Sequence, residues 1–362
     1  MPSKKEFLSG KRIRGSKPID VKEIVSLVEN FDSSGAYNAG RLAEACRLYE
    51  RMIKNKTTIA LTLAGAFTPT GLGGYINLAI ENGLIDIIIS TGANLYHDIH
   101  LALDLPLFQG TSNVDDNLLL KEGIVRIYDL FLPDETLFKT DKFVQDAVRE
   151  YSNKVKRPIS TAELHYILGK KLLEVAPRTE ESILATATKY NVPVYTSSPG
   201  DSSIGMNTAK LKLKNEGILI DPDVDVLETS AIIFNSTKNG VIVLGGGSPK
   251  NFYFQTQPML DQILAIGKGG HDYVIQVSVD VPQYGGLSGA TLQEAVSWGK
   301  IRPREEVNKV TVYSDITIVA PLLFSYILAK NYKEKLKNIY LHRGEWVQNM
   351  KHSFLEHAKG KS

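Results

Sequence analysis

The chain has 362 residues, 43% of them hydrophobic and 23% charged, an ordinary globular composition that excludes wholesale disorder. Its 42 basic and 40 acidic residues leave a net charge of +2, so no general field attracts nucleic acid or an anionic membrane. Cys46 is the one cysteine, which excludes a disulfide framework and a thiolate metal cluster and predicts a buried thiol in a reducing compartment. No apolar run approaches the ~18 residues of a membrane span. We therefore expect a cytoplasmic protein.

Both ends of the chain are basic. Residues 1–18 carry six Lys or Arg and few large apolar groups, which predicts a flexible arm. Asp20 and Glu23 have capping-box spacing, which predicts a helix that begins there. Residues 331–362 have the pattern of a basic amphipathic helix and tail, more typical of a solvated face or a subunit contact than of membrane binding. Residues 19–330 are expected to form one α/β domain.

Short apolar runs alternate with helical patterns through this domain. Repeated βα units with strands buried on both faces predict a doubly wound, mostly parallel, Rossmann-like sheet with helices on both faces. A charged helical segment at residues 134–175 is interpreted as a helical insertion. Ligands of such sheets bind beyond the carboxyl ends of the strands. The predicted strands are TTIALTL (57–63), IDIIIS (85–90), VPVYT (192–196), GVIVLGG (240–246), DYVIQVSV (272–279) and KVTVYS (309–314).

Several loops after these strands are rich in glycine and hydroxyl groups. Glycine lets a backbone approach a phosphate closely, although each loop is equally compatible with a plain strand-to-helix turn. Their spacing is not GxGxxG, but their recurrence on one sheet edge favours a dinucleotide or a similar extended ligand. The loops are AGAFTPTGLGG with Thr68, STGAN with Thr91 and Gly92, SSPGDSS, LGGGSP with Gly245 and Gly246, and YGGLSG.

Acidic residues and histidines lie near the same loops. A carboxylate there can hold ribose hydroxyls or a cationic substrate, or it can cap a helix. The capping interpretation fits Asp201 and Asp315 well. His97 and His100 stand at i, i+3 without a clear third ligand, so no metal site is predicted. The acidic candidates are Asp98, Asp201, Asp280 and Asp315.

The octapeptide EAVSWGKI, residues 294–301, holds a lysine close to a tryptophan and a glutamate. A lysine amine is nucleophilic only when its pKa is lowered, and the indole of Trp298 can exclude water beside it. Glu294 and Trp298 share a helix face at i, i+4, whereas Lys300 would not lie on that face. We therefore expect the helix to end at Gly299, where a reversal of the chain would place Lys300 close to them. The residues alone favour an ordinary solvated or salt-bridged lysine and leave a reactive one open.

EAVSWGKI, followed by VTVYSDITIVAPLL, resembles the deoxyhypusine synthase family, and in particular its deoxyhypusine synthase-like group. SSGAYNAGRLAEA, PVYTSSPGDSSIG, IVLGGGSPKN and GGHDYVIQV follow the family's order over roughly residues 30–330. The resemblance implies an NAD-dependent aminobutyl transferase, a homotetramer with active sites at subunit interfaces. A polyamine is oxidised, and the aminoalkyl group passes through an imine on Lys300 to an acceptor amine.

The resemblance also assigns roles to residues. Lys300 takes the position of the covalent catalytic lysine, and Glu294 and Trp298 those of polyamine-binding residues. Asn251 replaces a histidine thought to act as acid and base. Positions where the family has carboxylates near the polyamine hold Tyr96, Met206, Leu287 and Tyr284. The expected cofactor-binding residues are Thr68, Thr91, Gly92, His97 in place of a ribose-binding glutamate, Asp201, Gly245, Gly246, Asp280 and Asp315.

The absence of these carboxylates restricts the class of amine that we expect as substrate. Burying an ammonium without a carboxylate costs several kcal/mol, so these changes predict a less cationic or differently spaced amine than spermidine. Three alternatives remain open: homospermidine synthase proper, an NAD-dependent amine dehydrogenase without group transfer, and a scaffold without enzymatic activity.

Overall fold

The structure, a computed structural model, describes residues 2–16, 23–303 and 308–359. Asp20 lies outside these residues, and so does the capping box predicted from it. The strands are β1 (Thr58–Leu63), β2 (Ile87–Ser90), β3 (Phe108–Gln109), β4 (Ile124–Ile127), β5 (Leu130–Pro133), β6 (Val194–Tyr195), β7 (Asn239–Leu244), β8 (Tyr273–Val277) and β9 (Lys309–Val312).

Helices flank these strands along the chain. The helices predicted from apolar spacing correspond to α2, α3, α4, α9 and α11, and the one predicted at the C-terminus to α15. The helices are α1 (Lys4–Phe7), α2 (Glu23–Ser34), α3 (Tyr37–Lys54), α4 (Gly73–Glu81), α5 (Gly92–Ala102), α6 (Asp116–Lys121), α7 (Asp134–Ser152), α8 (Thr161–Val175), α9 (Ile183–Lys189), α10 (Ser203–Lys212), α11 (Pro222–Asn235), α12 (Gly247–Pro258), α13 (Leu292–Ser297), α14 (Ile316–Ala329) and α15 (Ile339–Lys359).

The predicted doubly wound sheet is confirmed. Six parallel strands pair in the order β6-β2-β1-β7-β8-β9. Strands β1, β2, β7 and β8 are buried along their whole length, because helices cover both faces of the sheet. The chain winds outward in one direction from β1 and in the other from β7. The crevice between their carboxyl ends is therefore the topological switch point, where ligands bind in this class of sheet.

A second, smaller sheet was not predicted. Strands β3, β5 and β4 form a three-stranded antiparallel sheet beside the first. The β4–β5 hairpin turns at Tyr128, which has φ +54° without being glycine, so the usual Asn-Gly or Asp-Gly turn signal is missing. The predicted helical insertion at 134–175 forms α7 and α8. Helix α8 packs against α9 and the edge strand β6, so it belongs to the layer that covers the main sheet.

The N-terminal arm differs from the flexible segment expected over residues 1–18, within the part the structure describes. The backbone N–H of Ile13 donates to Leu107 at 2.7 Å, and that of Ser16 donates to Gly71 at 2.6 Å. The guanidinium of Arg12 pairs with Asp104 at 2.9 Å. Residues 12–16 therefore lie along the body of the protein, because the basic side chains and backbone donors of the arm find partners there.

Helix α15 is attached by a buried ion pair. Arg343 Nε donates to Glu228 Oε2 of α11 at 2.9 Å, and the hydroxyl of Tyr195 donates to the same oxygen at 2.9 Å. Each side chain of the ion pair is only 11% exposed. The guanidinium also lies 3.6 Å from the ring centroid of Tyr340. The first turns of the C-terminal helix are thus fixed to the core by charge as well as by packing.

We expect Arg343→Met to lower the free energy of unfolding by about 3 kcal/mol, because it leaves the Glu228 carboxylate buried without its cation. Adding Glu228→Gln should recover much of that loss, since no charge is then buried. Urea unfolding measures both values. His352→Ala removes the exposed pair with Glu356 and should change stability by less than about 0.5 kcal/mol. Equal losses in the single and double variants would contradict the assignment.

Candidate active site

The loop after β7 lies at the switch point and has a backbone that only glycine adopts readily. Gly245, Gly246 and Gly247 have φ of +83°, +91° and +62° in succession. A Cβ on Gly246 would lie 2.7 Å from the Cα of Ser288, and one on Gly245 would lie 2.7 Å from the carbonyl oxygen of Ala64. The N–H of Gly247 donates to Ser288 Oγ at 3.0 Å. The loop therefore packs backbone to backbone against its neighbours and leads directly into α12.

The helix end predicted at Gly299 is confirmed. Helix α13 is capped by Thr291 and has Trp298 as its C-cap residue. Gly299 follows with φ +67°, its N–H donating to Val296 at 3.0 Å, and the N–H of Lys300 donates to Ala295 at 2.9 Å. This left-handed glycine reverses the chain, which is the usual role of glycine after a helix. Lys300 is thereby turned back towards the residues of α13.

Lys300 lies at a cavity of about 260 Å³ between α12 and α13. Its Nζ donates to Asn251 Oδ1 at 3.3 Å and lies 5.4 Å from the ring centroid of Trp298. Partial burial lowers the pKa of Lys300, and the carboxylate of Glu294 opposes that shift. The amine is therefore closer to its neutral, nucleophilic form than a solvated lysine is.

A second lysine enters the same cavity. Lys250, on the first turn of α12, is 4% exposed, and burial lowers its pKa to about 8. Glu294 raises that pKa, whereas the charge of Lys300 lowers it further. The sequence reasoning missed Lys250, although a cation in the first turn of a helix opposes the helix dipole and so marks an unusual position.

We expect Glu294→Gln to lower the pKa of Lys300, because the carboxylate is the group that stabilises its charged form. The pH at which Lys300 becomes half-reactive towards an amine-acylating reagent should fall, by about half a unit. Mass-spectrometric quantification of the Lys300 peptide across pH measures this. Gln293→Ala, an exposed neighbour on the same helix, serves as the control. A midpoint that rises in Glu294→Gln would contradict the electrostatic assignment.

The structure brings together most of the residues predicted around the substrate. One cavity is lined by Lys300, Glu294, Trp298, Asn251 and Leu287. Met206 and Tyr284 are 64% and 83% exposed and do not line it.

Tyr96, predicted to bind the substrate, lies away from the Lys300 cavity of the same chain. Tyr96 is only 3% exposed, and its hydroxyl donates to Asp141 Oδ1 at 2.7 Å and lies 3.1 Å from the carbonyl oxygen of Leu137. Asn207 donates to the same Asp141 oxygen at 2.6 Å. Because its hydroxyl is used between α5 and α7, Tyr96 is part of an internal network and does not line the Lys300 cavity.

Two residues predicted to bind the cofactor, Thr68 and Thr91, form hydrogen bonds with Asn94. The hydroxyl of Thr68 donates to the carbonyl of Asn94 at 2.7 Å, and Asn94 Nδ2 donates to Thr91 Oγ1 at 3.0 Å and to Gly65 at 2.6 Å. Thr91 caps α5. Thr68 is fully buried, and its hydroxyl fixes the loop after β1.

Gly92, in contrast, has the close approach expected of a ligand-binding loop glycine. A Cβ on it would lie 2.4 Å from Ser202 Oγ. The loops after β2 and β6 therefore touch, and Asp201 stands exposed beside that contact. Asp201 does not cap α10, because Ser202 is its N-cap, so the capping interpretation is wrong for Asp201.

Of the other acidic candidates, Asp315 and Asp98 accept hydrogen bonds at helix starts, whereas Asp280 is partly exposed. Asp315 caps α14, as expected, by accepting from the N–H of Thr317 at 2.6 Å. Asp98 is buried and accepts from the backbone at the start of α9, at Ile183 and Leu184. Asp280 follows β8 and is partly exposed at the carboxyl edge, where its charge acts on Lys250.

His100 is buried, and His97 is half-buried beside it. Their rings are 5.1 Å apart, and burial lowers the pKa of His97 to about 4. His100 Nδ1 lies 2.7 Å from the hydroxyl of Thr140. Across residues 2–16, 23–303 and 308–359, no three His, Cys, Asp or Glu side chains are arranged to hold a metal ion. In the same part of the chain, no helix is long and apolar enough to cross a membrane.

Comparison with known proteins gives the family. The family model for deoxyhypusine synthase matches residues 26–327. The chain belongs to the deoxyhypusine synthase family. It is 44% identical over 341 residues to a deoxyhypusine synthase-like protein of Nostoc punctiforme, covering 92% of this chain and 86% of that protein. It is 38% identical to the probable deoxyhypusine synthase 2 of Methanosarcina acetivorans over 84% of this chain and 87% of that one.

A solved structure shares the fold. A crystal structure provisionally assigned as deoxyhypusine synthase from Entamoeba histolytica superposes with a TM-score of 0.58 at 17% identity, covering 86% of this chain and 95% of that chain. The family is one of transferases, which agrees with a nucleophilic amine at the carboxyl edge of the sheet.

Proposed function

We propose that this protein is an NAD-dependent transferase that moves an aminoalkyl group, of the aminobutyl type, from a polyamine-like donor to an amine acceptor. The observation that carries the proposal is Lys300, whose pKa is lowered by burial within a cavity that also holds Asn251, Trp298 and Glu294. A neutral amine adds to an electrophilic carbon, whereas an ammonium does not. Family membership supports the same chemistry.

The glycine loop at the switch point fits a dinucleotide. Three successive glycines of positive φ open α12, so backbone donors at its N-terminus can approach a pyrophosphate. Gly245, Gly246 and Gly92 would hold the cofactor, with Asp201 and Asp315 at the same edge. When bound, NAD supplies the hydride acceptor that oxidises the donor amine.

The residues of this chain account for the group transfer. Lys300 adds its amine to the C=N carbon of the oxidised donor, the donor's departing amine takes up a proton, and the group stays on Lys300 as an imine. An acceptor amine then displaces Lys300 and carries the group as a new imine. The reduced cofactor, when bound, would return its hydride to that imine, so that the product is an amine and no reduced cofactor accumulates. Glu294 attracts the cationic part of the donor, and the indole of Trp298 offers its face to the same charge.

We also propose that the protein forms a homotetramer with active sites at subunit interfaces. Large apolar side chains are exposed near the carboxyl edge: Trp298 is 65% exposed, Leu287 49% and Tyr284 83%. Exposed apolar groups of this size commonly mark an interface. Light scattering coupled to size-exclusion chromatography tests this, with a mass near four times the chain mass of 40.0 kDa expected.

Trapping tests the transfer. The protein is incubated with NAD and with spermidine, putrescine or agmatine, reduced with borohydride, and digested for mass spectrometry. An adduct on Lys300 that requires both NAD and an amine is expected. If NAD binds and none of the three amines modifies Lys300, the proposal fails.

The products separate the alternatives. Formation of homospermidine from putrescine identifies a homospermidine synthase. Net accumulation of reduced cofactor, without an adduct on Lys300, identifies an amine dehydrogenase.

A further inference from the structure

The loop that forms one wall of the Lys300 cavity has little rigidity of its own. Residues 285–291 read GGLSGAT, and Gly285 has φ +72° with nothing within 4 Å of where its Cβ would be. Glycine-rich loops lose much conformational entropy when they are ordered. This loop leads directly into α13, which carries Glu294 and is followed by Trp298, Gly299 and Lys300. Whatever fixes the loop therefore also fixes the position of the reactive amine.

The side chain of Lys250 fixes this loop through hydrogen bonds to its backbone. Its Nζ donates to the carbonyl of Leu287 at 3.1 Å and to that of Ala290 at 2.7 Å. Between these two, Ser288 accepts from the N–H of Gly247, and its carbonyl accepts from Gln276 at 3.3 Å. The start of α12 and the strand β8 thus hold the loop at Leu287, Ser288 and Ala290, and Lys250 supplies the charged contacts.

The charge of Lys250 also acts within the cavity. The charged groups that act on it are Glu294 on α13, Asp280 after β8 and Lys300 itself. Two ammonium groups thus face the carboxylate of Glu294. The charge of Lys300 lowers the pKa of Lys250, whereas partial burial and Glu294 are the influences on the pKa of Lys300.

We propose that Lys250 is a positioning residue for Lys300: its ammonium group fixes the loop 285–291 against α12, and through that loop it holds α13 and the partly buried position of Lys300. The inference rests on the proposed imine chemistry of Lys300. It explains why an amine is buried in the first turn of a helix, where a cation is otherwise unfavourable. Lys250 itself needs no contact with the reacting atoms.

The test measures the reactivity of Lys300 and needs neither NAD nor a donor. The full-length protein is acetylated briefly with acetic anhydride between pH 6 and 10, and the Lys300 peptide is quantified against exposed Lys351 of α15. In Lys250→Met the loop loses its charged contacts and Lys300 becomes more hydrated, so the midpoint of Lys300 should rise by about half a unit, which slows its labelling about threefold below the midpoint. Lys250→Arg keeps the charge and the donors, and it should stay within about twofold of the unchanged protein.

Control variants distinguish this role of Lys250 from a general loss of stability. Lys210→Met removes an exposed lysine of α10 and should leave the Lys300 profile unchanged. If Lys250→Met does not fold, as judged by thermal unfolding, Lys250→Gln replaces it. An unchanged midpoint in a folded variant without the ammonium overturns the inference, and so does an equal shift in Lys250→Arg. The proposed function is tested separately, because it fails only in the trapping experiment with NAD and amines.

Discussion

Replacing Lys300 by arginine should abolish the borohydride-trapped adduct and reduce transfer by on the order of 10⁴-fold or more, since a guanidinium stays protonated and cannot form the imine. Arginine keeps a positive charge beside Glu294 and Asn251, so binding of the cofactor should persist. The adduct is measured by mass spectrometry of the digested protein, and transfer is measured from the amine products. Cofactor binding is measured by the fluorescence of added reduced NAD.

The matched control for this substitution is Lys268→Arg. Lys268 is an exposed lysine whose pKa is also lowered by its surroundings, and its Nζ donates to the backbone carbonyl of Phe234 outside the Lys300 cavity. This variant should retain the adduct. Full transfer in Lys300→Arg would refute the proposed mechanism. Loss of both transfer and NAD binding would instead indicate that the substitution disturbs the fold at the sheet edge.

The second large effect is expected at Gly246. Alanine at this position is unfavourable for two reasons. Its backbone would be strained, because residues with a side chain rarely adopt φ +91° with ψ −124°. Its Cβ would also clash, because it would lie 2.7 Å from Ser288 Cα. The loop after β7 and the loop 285–291 cannot both keep their positions. We expect Gly246→Ala to weaken NAD binding by about tenfold or more, as measured by titration with reduced NAD.

Gly269 is a control that distinguishes the effect of backbone strain from that of a steric clash. Gly269 has φ +80° with nothing within 4 Å of a Cβ, so Gly269→Ala carries the backbone cost alone, about 1 kcal/mol of stability. It should leave NAD affinity unchanged. If both variants lose stability equally and both keep their NAD affinity, the close approach at Gly246 has no role in cofactor binding.

The sheet could be predicted because its signals are local. Each of the six strands is a continuous apolar run, and the pattern of strands and helices restricts the topology to a few parallel arrangements. The small antiparallel sheet could not be predicted. Its strands are two to four residues long, and its hairpin turns at Tyr128 without a glycine.

The candidate site was predicted in part, for a reason visible in particular residues. Gly299 was identifiable because a reversal after a short helix requires a left-handed residue. Lys250 was not, because its partners are the carbonyls of Leu287 and Ala290, nearly 40 positions away. Tyr96 was assigned to the substrate by its place in a motif, whereas its hydroxyl binds Asp141 on α7.

The sequence by itself determined the strands, the helix end before Lys300 and the glycine loops, because apolar period and backbone conformation are properties of neighbouring residues. Only the tertiary structure decided which polar groups remain available. Thr68 and Asp98 are used inside the protein, whereas Lys300 lies at a cavity with Asn251 and a second lysine. Hydrogen bonds and charges act over a few ångströms in space, and the order of residues along the chain does not specify those distances.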